Sequence, residues 1–265
     1  MFDSGVGGLT VAHALLDLMP DESLVYLGDT ARSPYGPRPL EEIREFSIEI
    51  ARYLVDLDVK AIVVACNSVE VAAIADVAIS ARVPVIGVID PGVRAAAEAT
   101  RSGMVGVIGT EATIASGAYD RAVDRTGRPI ALLSYACPPF VDFVESGDTS
   151  SDELRAVAHE YLDPIARTDV DTLILGCTHY PLIADVVGEV MGPGVVLVSS
   201  AVETAKDVHS LLERESLDRG DDEPPQHDFL CTGDPEQFRE LAELFLGRPV
   251  EGARRVELEP VGGGR

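Results

Sequence analysis

The chain alternates between short apolar runs and longer segments whose apolar positions recur every three to four residues. The runs Leu24–Leu27, Ala61–Ala65, Val85–Ile89, Val105–Ile108, Ile130–Leu133, Thr172–Leu175 and Val195–Val198 are nearly uniformly hydrophobic rather than alternating. That is the pattern of strands covered on both faces. Between them, Pro39–Asp56, Thr113–Arg125, Ser151–Ala166 and Pro235–Leu246 read as amphipathic helices, and a glycine-rich turn leads into a helix over Leu9–Met19. Strand–helix alternation throughout predicts an α/β fold with parallel sheets. Ser216–His227 is polar and carries prolines, so a surface loop is expected there, and the tail Val261–Arg265 is expected to fray.

An internal echo adds organisation to this pattern. Ala61-Ile-Val-Val-Ala-Cys66-Asn67-Ser68 and Thr172-Leu-Ile-Leu-Gly-Cys177-Thr178-His179 are both apolar strands ending in a cysteine and small polar groups. Each is followed, 18 residues after its cysteine, by another apolar run, at Pro84 and at Val195. The shared register predicts two similar α/β halves. Each presents one cysteine at the carboxyl end of a strand, where open parallel sheets bind ligands.

Composition narrows the chemistry. With 265 residues and 46% hydrophobic content the chain can bury a sizeable core. Its most apolar stretch, Ala61–Ile79, is interrupted by Asn67, Glu70 and Asp76, so no membrane span is expected. Met1-Phe2-Asp3-Ser4 has neither the basic start nor the apolar core of a signal peptide, and a cytoplasmic location is expected. A net charge of −24 repels phosphate backbones, which argues against nucleic acid as primary partner. The only lysines, Lys60 and Lys206, precede a strand and lie in a polar helical stretch, so neither suits a Schiff base. Cys66, Cys137, Cys177 and Cys231 are too scattered for a disulfide scaffold or a zinc ribbon.

The question becomes which thiols are reactive. A lone cysteine after a strand is most often core, but two in matched contexts, flanked by Asn67, Ser68, Thr178 and His179, are not explained by burial alone. Cys137 before Pro138-Pro139, and Cys231 at the end of an expected edge strand, read as core. A cysteine phosphatase needs an arginine a few residues on, whereas Ala72 and Ile183 occupy the sixth positions after Cys66 and Cys177. A Cys-His-acid hydrolase built on Cys177 or Cys66 with His179 stays open, while a metal site on Cys177 and His179 lacks further close ligands. Asp3-Ser4-Gly5-Val6-Gly7-Gly8 resembles a phosphate loop without its lysine; its backbone N–H groups are expected to face a small anion.

Phe2-Asp-Ser-Gly-Val-Gly-Gly-Leu-Thr-Val11, Leu27-Gly-Asp-Thr-Ala31, Pro34-Tyr-Gly36, Ala65-Cys-Asn-Ser68, Gly109-Thr-Glu-Ala-Thr-Ile114, Ala136-Cys-Pro-Pro-Phe140 with Glu145, Gly176-Cys-Thr-His-Tyr-Pro181 and Thr232-Gly-Asp-Pro235 together resemble the glutamate-specific members of the aspartate/glutamate racemase family. Relatives acting on aspartate tend to carry an acidic residue where His179 stands. The resemblance runs in order along nearly the whole chain. It implies two pseudosymmetric parallel-sheet α/β domains, residues 1–91 plus 204–265 and residues 92–203, with glutamate bound between them. It further implies a cofactor-independent enzyme in which Cys66 and Cys177 are acid/base thiols, supported by Asp3 and His179 respectively. Asp29 and Glu145 are secondary acidic contributors, and substrate contacts come from Asp3, Ser4, Tyr35, Gly36, Asn67, Ser68, Thr178 and His179. D-Glutamate would feed peptidoglycan synthesis; no metal is implied, and a homodimer is left open.

Elementary chemistry fits that assignment. Racemisation removes the Cα proton on one face and returns one on the other, which two bases accomplish without the substrate turning over. A free thiol titrates near ~8.5, so modest tuning gives one thiolate and one thiol. Without a pyridoxal electron sink, the carbanion needs preorganised donors on the substrate carboxylate, which Asn67, Ser68 and Thr178 offer. Three alternatives stand beside this: an aspartate-type racemase, a cysteine hydrolase on the same scaffold, and a carboxylate-binding protein without turnover. The chain departs from the family at Val69-Glu70, where small residues are usual. Glu70 is expected to face solvent at a helix start and complement the helix dipole.

Overall fold

The computed structural model describes residues 1–220, 223–250 and 252–260; the tail expected to fray, Val261–Arg265, lies outside them. Met1–Val88 carries β1 (Phe2–Asp3), α1 (Leu9–Leu18), β2 (Leu24–Gly28), α2 (Leu40–Asp56), β3 (Ile62–Val63), α3 (Asn67–Ala81) and β4 (Val85–Ile86). Ile89–Ser200 carries α4 (Ile89–Ala99), β5 (Met104–Gly109), α5 (Glu111–Ala115), α6 (Ala118–Thr126), β6 (Ala131–Ala136), α7 (Pro139–Glu145), α8 (Asp152–Ala166), β7 (Thr172–Gly176), a 3₁₀ turn (Tyr180–Ile183), α9 (Ala184–Met191) and β8 (Val196–Val198). From Ala201 onward follow α10 (Ala201–Glu215), β9 (His227–Cys231), α11 (Pro235–Leu246) and β10 (Arg254–Arg255). The first and last of these stretches form one compact unit and the middle stretch a second. Boundaries drawn after residues 91 and 203 therefore fall inside helices, because α4 already begins at Ile89 and α10 at Ala201.

In the first unit a parallel sheet runs in the order β1-β2-β9-β10, and β3 pairs in parallel with β4. A bridge between Phe2 and Val64 links β1 to the chain leaving β3. Apolar strand residues Phe2, Leu27, Ile62, Val64 and Leu230 pack against Ile43, Ile50 and Leu54 of α2 and Val69, Ala73 and Val77 of α3. Those helical positions recur at turn spacing, so each helix buries one stripe. The expected edge strand ending at Cys231 is instead paired on both sides, with β2 and β10. Its outer neighbour is Arg254–Arg255, two charged residues that give no apolar signal. α11 is bounded as its sequence specifies: Asp234 caps it by accepting from the N–H groups of Glu236 and Gln237, Pro235 sits in its first turn, and Gly247 (φ 70°) ends it.

The second unit is a parallel sheet in the order β6-β5-β7-β8. The helix expected over Thr113–Arg125 is divided into α5 and α6 at Gly117, which adopts φ 64°. α8 starts where Ser151 accepts from Leu154 N–H at 3.0 Å.

Register sets where the chemistry falls. Asp3 lies opposite Gly28 and Gly28 opposite Cys231, so Ser4, Asp29 and Thr232 leave the first sheet at one carboxyl edge. The Phe2–Val64 bridge brings Cys66 out at that same edge. In the second unit Gly109 lies opposite both Ala136 and Gly176, so Thr110, Cys137 and Cys177 emerge together. Both cysteines of the echo sit at the strand ends where parallel sheets bind ligands.

Candidate active site

In the first unit, Cys66 is the extended residue (φ −81°, ψ 123°) immediately before α3, and it is 6% exposed. Its thiol donates to Ser4 Oγ at 3.6 Å. Asp3 is fully buried; its Oδ2 accepts from the N–H groups of Gly5 (3.2 Å) and Gly8 (3.0 Å), and its Oδ1 has no hydrogen-bond partner among the described residues. The glycine-rich turn thus directs two N–H groups onto its own Asp3 carboxylate rather than onto an external anion. Close approach requires glycine here, since a Cβ on Gly8 would lie 2.7 Å from Asp3 Cβ and 2.8 Å from Ala65 Cβ. Beneath the turn, buried Tyr26 donates to Gly5 O at 3.0 Å. Burial, and then the negative charges of Asp3 and Cys66, push the Tyr26 hydroxyl well above its usual range, so it keeps the proton it donates. Asn67 and Ser68 are buried in the first turn of α3 beside the thiol.

The segment carrying Tyr35 and Gly36 is anchored by Asp29. This buried carboxylate accepts from the Tyr35 hydroxyl, from Arg32 Nε at 2.7 Å and from Thr232 Oγ1 at 2.7 Å. Arg32 also donates to Glu49 of α2 at 2.5 Å and stacks over the Phe46 ring at 3.9 Å. Burial opposes the guanidinium charge, but Glu49 and Asp29 more than restore it, raising its pKa. Tyr35 is pushed up by burial and by the charge of Asp29. Asp29 is thereby committed to three donors that fix the Tyr35 loop. Sequence reasoning missed Arg32, Glu49 and a role for Thr232. The available signals were the Asp29–Arg32 spacing of three and a glutamate on the buried face of α2.

In the second unit, Cys177 directly follows β7 and is 7% exposed. Its Sγ lies 3.6 Å from His179 Nδ1, and His179 Nε2 lies 3.2 Å from Glu145 Oε1 at the end of α7. Thiol, imidazole and carboxylate form a continuous chain, with Thr178 buried alongside. Tyr180 closes the floor: its hydroxyl donates to Cys137 O at 2.8 Å, and its ring meets Phe140 edge-on at 5.5 Å. Cys137 is fully buried, and burial pushes its thiol up to about 12. Burial is also the first cause raising Cys231, with the Asp234 charge adding to it.

The structure brings Asp3, Ser4, Asn67 and Ser68 together around Cys66, and His179 and Glu145 around Cys177. Among the described residues, no group of three or more His, Cys, Asp or Glu is placed to hold a metal ion. A further expectation is overturned: Glu70 does not simply face solvent. Its Oε2 accepts from Val88 N–H at 2.5 Å, because α3 and the end of β4 run close enough for the carboxylate to lie against Gly87.

Each of the two parallel α/β units presents a polar-flanked thiol beyond the carboxyl end of a strand, the arrangement of a two-unit α/β protein with matched candidate sites. The family model for Asp/Glu/hydantoin racemases matches residues 10–208, and the chain belongs to that family. It is 54% identical to the glutamate racemase of Beutenbergia cavernae, over 95% of this chain and 90% of that protein. A crystal structure of a glutamate racemase isoform from Bacillus anthracis superposes with a TM-score of 0.92 at 39% identity, covering 97% of this chain and 96% of the other. The glutamate racemase of Francisella tularensis, crystallised with D-glutamate, matches with a TM-score of 0.91 at 36% identity over 97% and 96% of the two chains.

Proposed function

We propose that this chain interconverts L- and D-glutamate without a cofactor, using Cys66 and Cys177 as the two acid/base groups. The observation that carries the reading is the matched placement of two thiols, each beyond the carboxyl end of a parallel strand with its own polar partner. One cysteine, as thiolate, takes the Cα proton; the other, as thiol, returns a proton to the opposite face. The product leaves with the two protonation states exchanged, so the reverse reaction starts from the state the forward reaction ends in. Asp3 supports Cys66, and His179 supports Cys177 with Glu145 orienting the imidazole. Asn67, Ser68 and Thr178 donate to the substrate carboxylate, and Ser4, Tyr35 and Gly36 complete the substrate contacts, stabilising the carbanion by fixed hydrogen bonds.

The D-glutamate formed would supply peptidoglycan synthesis, a cytoplasmic role that suits four free thiols. No helix among the described residues is long and apolar enough to cross a membrane. A second reading rests on the Cys177–His179–Glu145 chain, which also has the connectivity of a cysteine hydrolase.

The test is incubation with L-glutamate, no cofactor added, followed by optical rotation. Decay to zero rotation from either enantiomer is expected. Decay with aspartate alone would move the substrate, and binding without any decay would leave a carboxylate-binding protein. Consumption of an amide or ester substrate without loss of rotation from glutamate would favour the hydrolase.

A further inference from the structure

Glu70 reaches from α3 to the segment by which the chain leaves the stretch Met1–Val88. Glu70 stands in the first turn of α3, the helix that Cys66 precedes, and its N–H donates to Cys66 O at 2.9 Å. Its carboxylate reaches across to the segment after β4 and accepts from Val88 N–H. Val88 is the last residue of the first unit's leading stretch, and α4 begins at the next residue. The β4 pairing ends at Ile86, whose carbonyl accepts from Val64, so Val88 lies beyond the last paired residue of the sheet. Glu70 supplies a side-chain acceptor where the ladder has stopped.

Gly87 is matched to this contact. A Cβ there would lie 2.3 Å from Glu70 Cδ and 2.4 Å from each carboxylate oxygen, so the carboxylate rests flat on the glycine. Val88 is fully buried, which makes loss of the acceptor costly for its N–H.

We propose that Glu70 is a positioning residue: its hydrogen bond to Val88 ties the Cys66-bearing turn of α3 to the segment through which the chain passes into the second unit. The inference rests on Cys66 acting in turnover. Untying the two lets the first turn of α3, with Asn67 and Ser68, and the exit segment move independently. The expected cost falls on kcat more than on KM, because misplacing a reacting group impairs the chemical step.

A double-mutant cycle tests this. Glu70→Ala is expected to lower kcat about tenfold in both directions, with KM changed less than threefold. Glu70→Gln keeps an acceptor oxygen for Val88 and is expected to retain at least half of wild-type kcat. Gly87→Ala displaces only the end of a flexible side chain, so the fold persists and kcat falls as in Glu70→Ala. The double variant is expected to be no worse than either single variant. Hydrogen exchange at the Val88 amide, read by mass spectrometry or NMR, is expected to accelerate at least tenfold in Glu70→Ala and Gly87→Ala but not in Glu70→Gln.

Unchanged Val88 exchange in Glu70→Ala, multiplying kcat losses in the double variant, or a Glu70→Gln variant as impaired as Glu70→Ala would each overturn the proposal. A wild-type protein that fails to racemise glutamate while Val88 exchange still responds to Glu70→Ala would instead overturn the functional reading and leave the tie standing.

Discussion

Cys66 and Cys177 occupy equivalent positions at the ends of parallel strands, yet their surroundings differ in kind. Cys66 has a hydroxyl at 3.6 Å and belongs to a turn whose carboxylate, Asp3, is pinned by two backbone N–H groups. Cys177 has an imidazole at 3.6 Å, itself tied to Glu145, which keeps 29% side-chain exposure. The first environment is fixed and acceptor-rich. The second holds an imidazole that links the thiol to a carboxylate reaching toward solvent. Two similar scaffolds thus hold one chemical group in two electrostatic settings, so a reversible proton transfer need not respond identically in its two directions.

The largest expected effect comes from removing either thiol. Cys66→Ala and Cys177→Ala should each lower racemisation at least ~10³-fold in both directions, since each direction uses one thiol as base and the other as acid. Polarimetry from both enantiomers checks this, and near-normal rates in either variant would break the pairing. Next, Asp3→Asn and His179→Asn should lose ~10²-fold in one direction and distinctly less in the other, each variant favouring a different direction. Equal losses would reduce both residues to positioning roles and erase the contrast between the two environments.

The comparison also shows what the sequence could carry. The strand–helix order, the two cysteine-ended strands and the Asp234–Gly247 helix were legible because runs, caps and spacing are local properties. Neighbours set by sheet pairing were not. β9 lies between two strands only because Arg254–Arg255, which looks like surface, adds a further parallel strand. Arg32 was missed because its second partner, Glu49, reaches it only through the packing of α2, and Glu70 because its acceptor role depends on where β4 ends. The N–H groups of the glycine-rich turn could be read as donors, but not that Asp3 itself takes two of them.

A smaller effect is expected from Arg32→Met, which leaves buried Asp29 with two of its three donors. Stability should fall by about 2 kcal/mol by denaturant unfolding, and KM should rise as the Tyr35 loop loosens. An unchanged KM would detach that loop from substrate. The smallest effect belongs to Cys137→Ala, which should leave turnover within about twofold. Burial pushes the Cys137 thiol up to about 12, so Cys137 stays protonated at pH 8 and native protein should show no Cys137 labelling by a thiol reagent at that pH. Rapid labelling of Cys137 would contradict that burial.

The most direct measurement of the two-thiol account is racemisation in deuterium oxide, sampled early and resolved by enantiomer. Starting from protiated L-glutamate, the D-glutamate formed should carry solvent deuterium at Cα, while recovered L-glutamate stays protiated, because the proton removed by one thiol is not the one delivered by the other. Protium retained in the D-product, or deuterium entering both enantiomers at equal early rates, would mean that a single group serves both faces and would contradict the assignment of Cys66 and Cys177 as a pair.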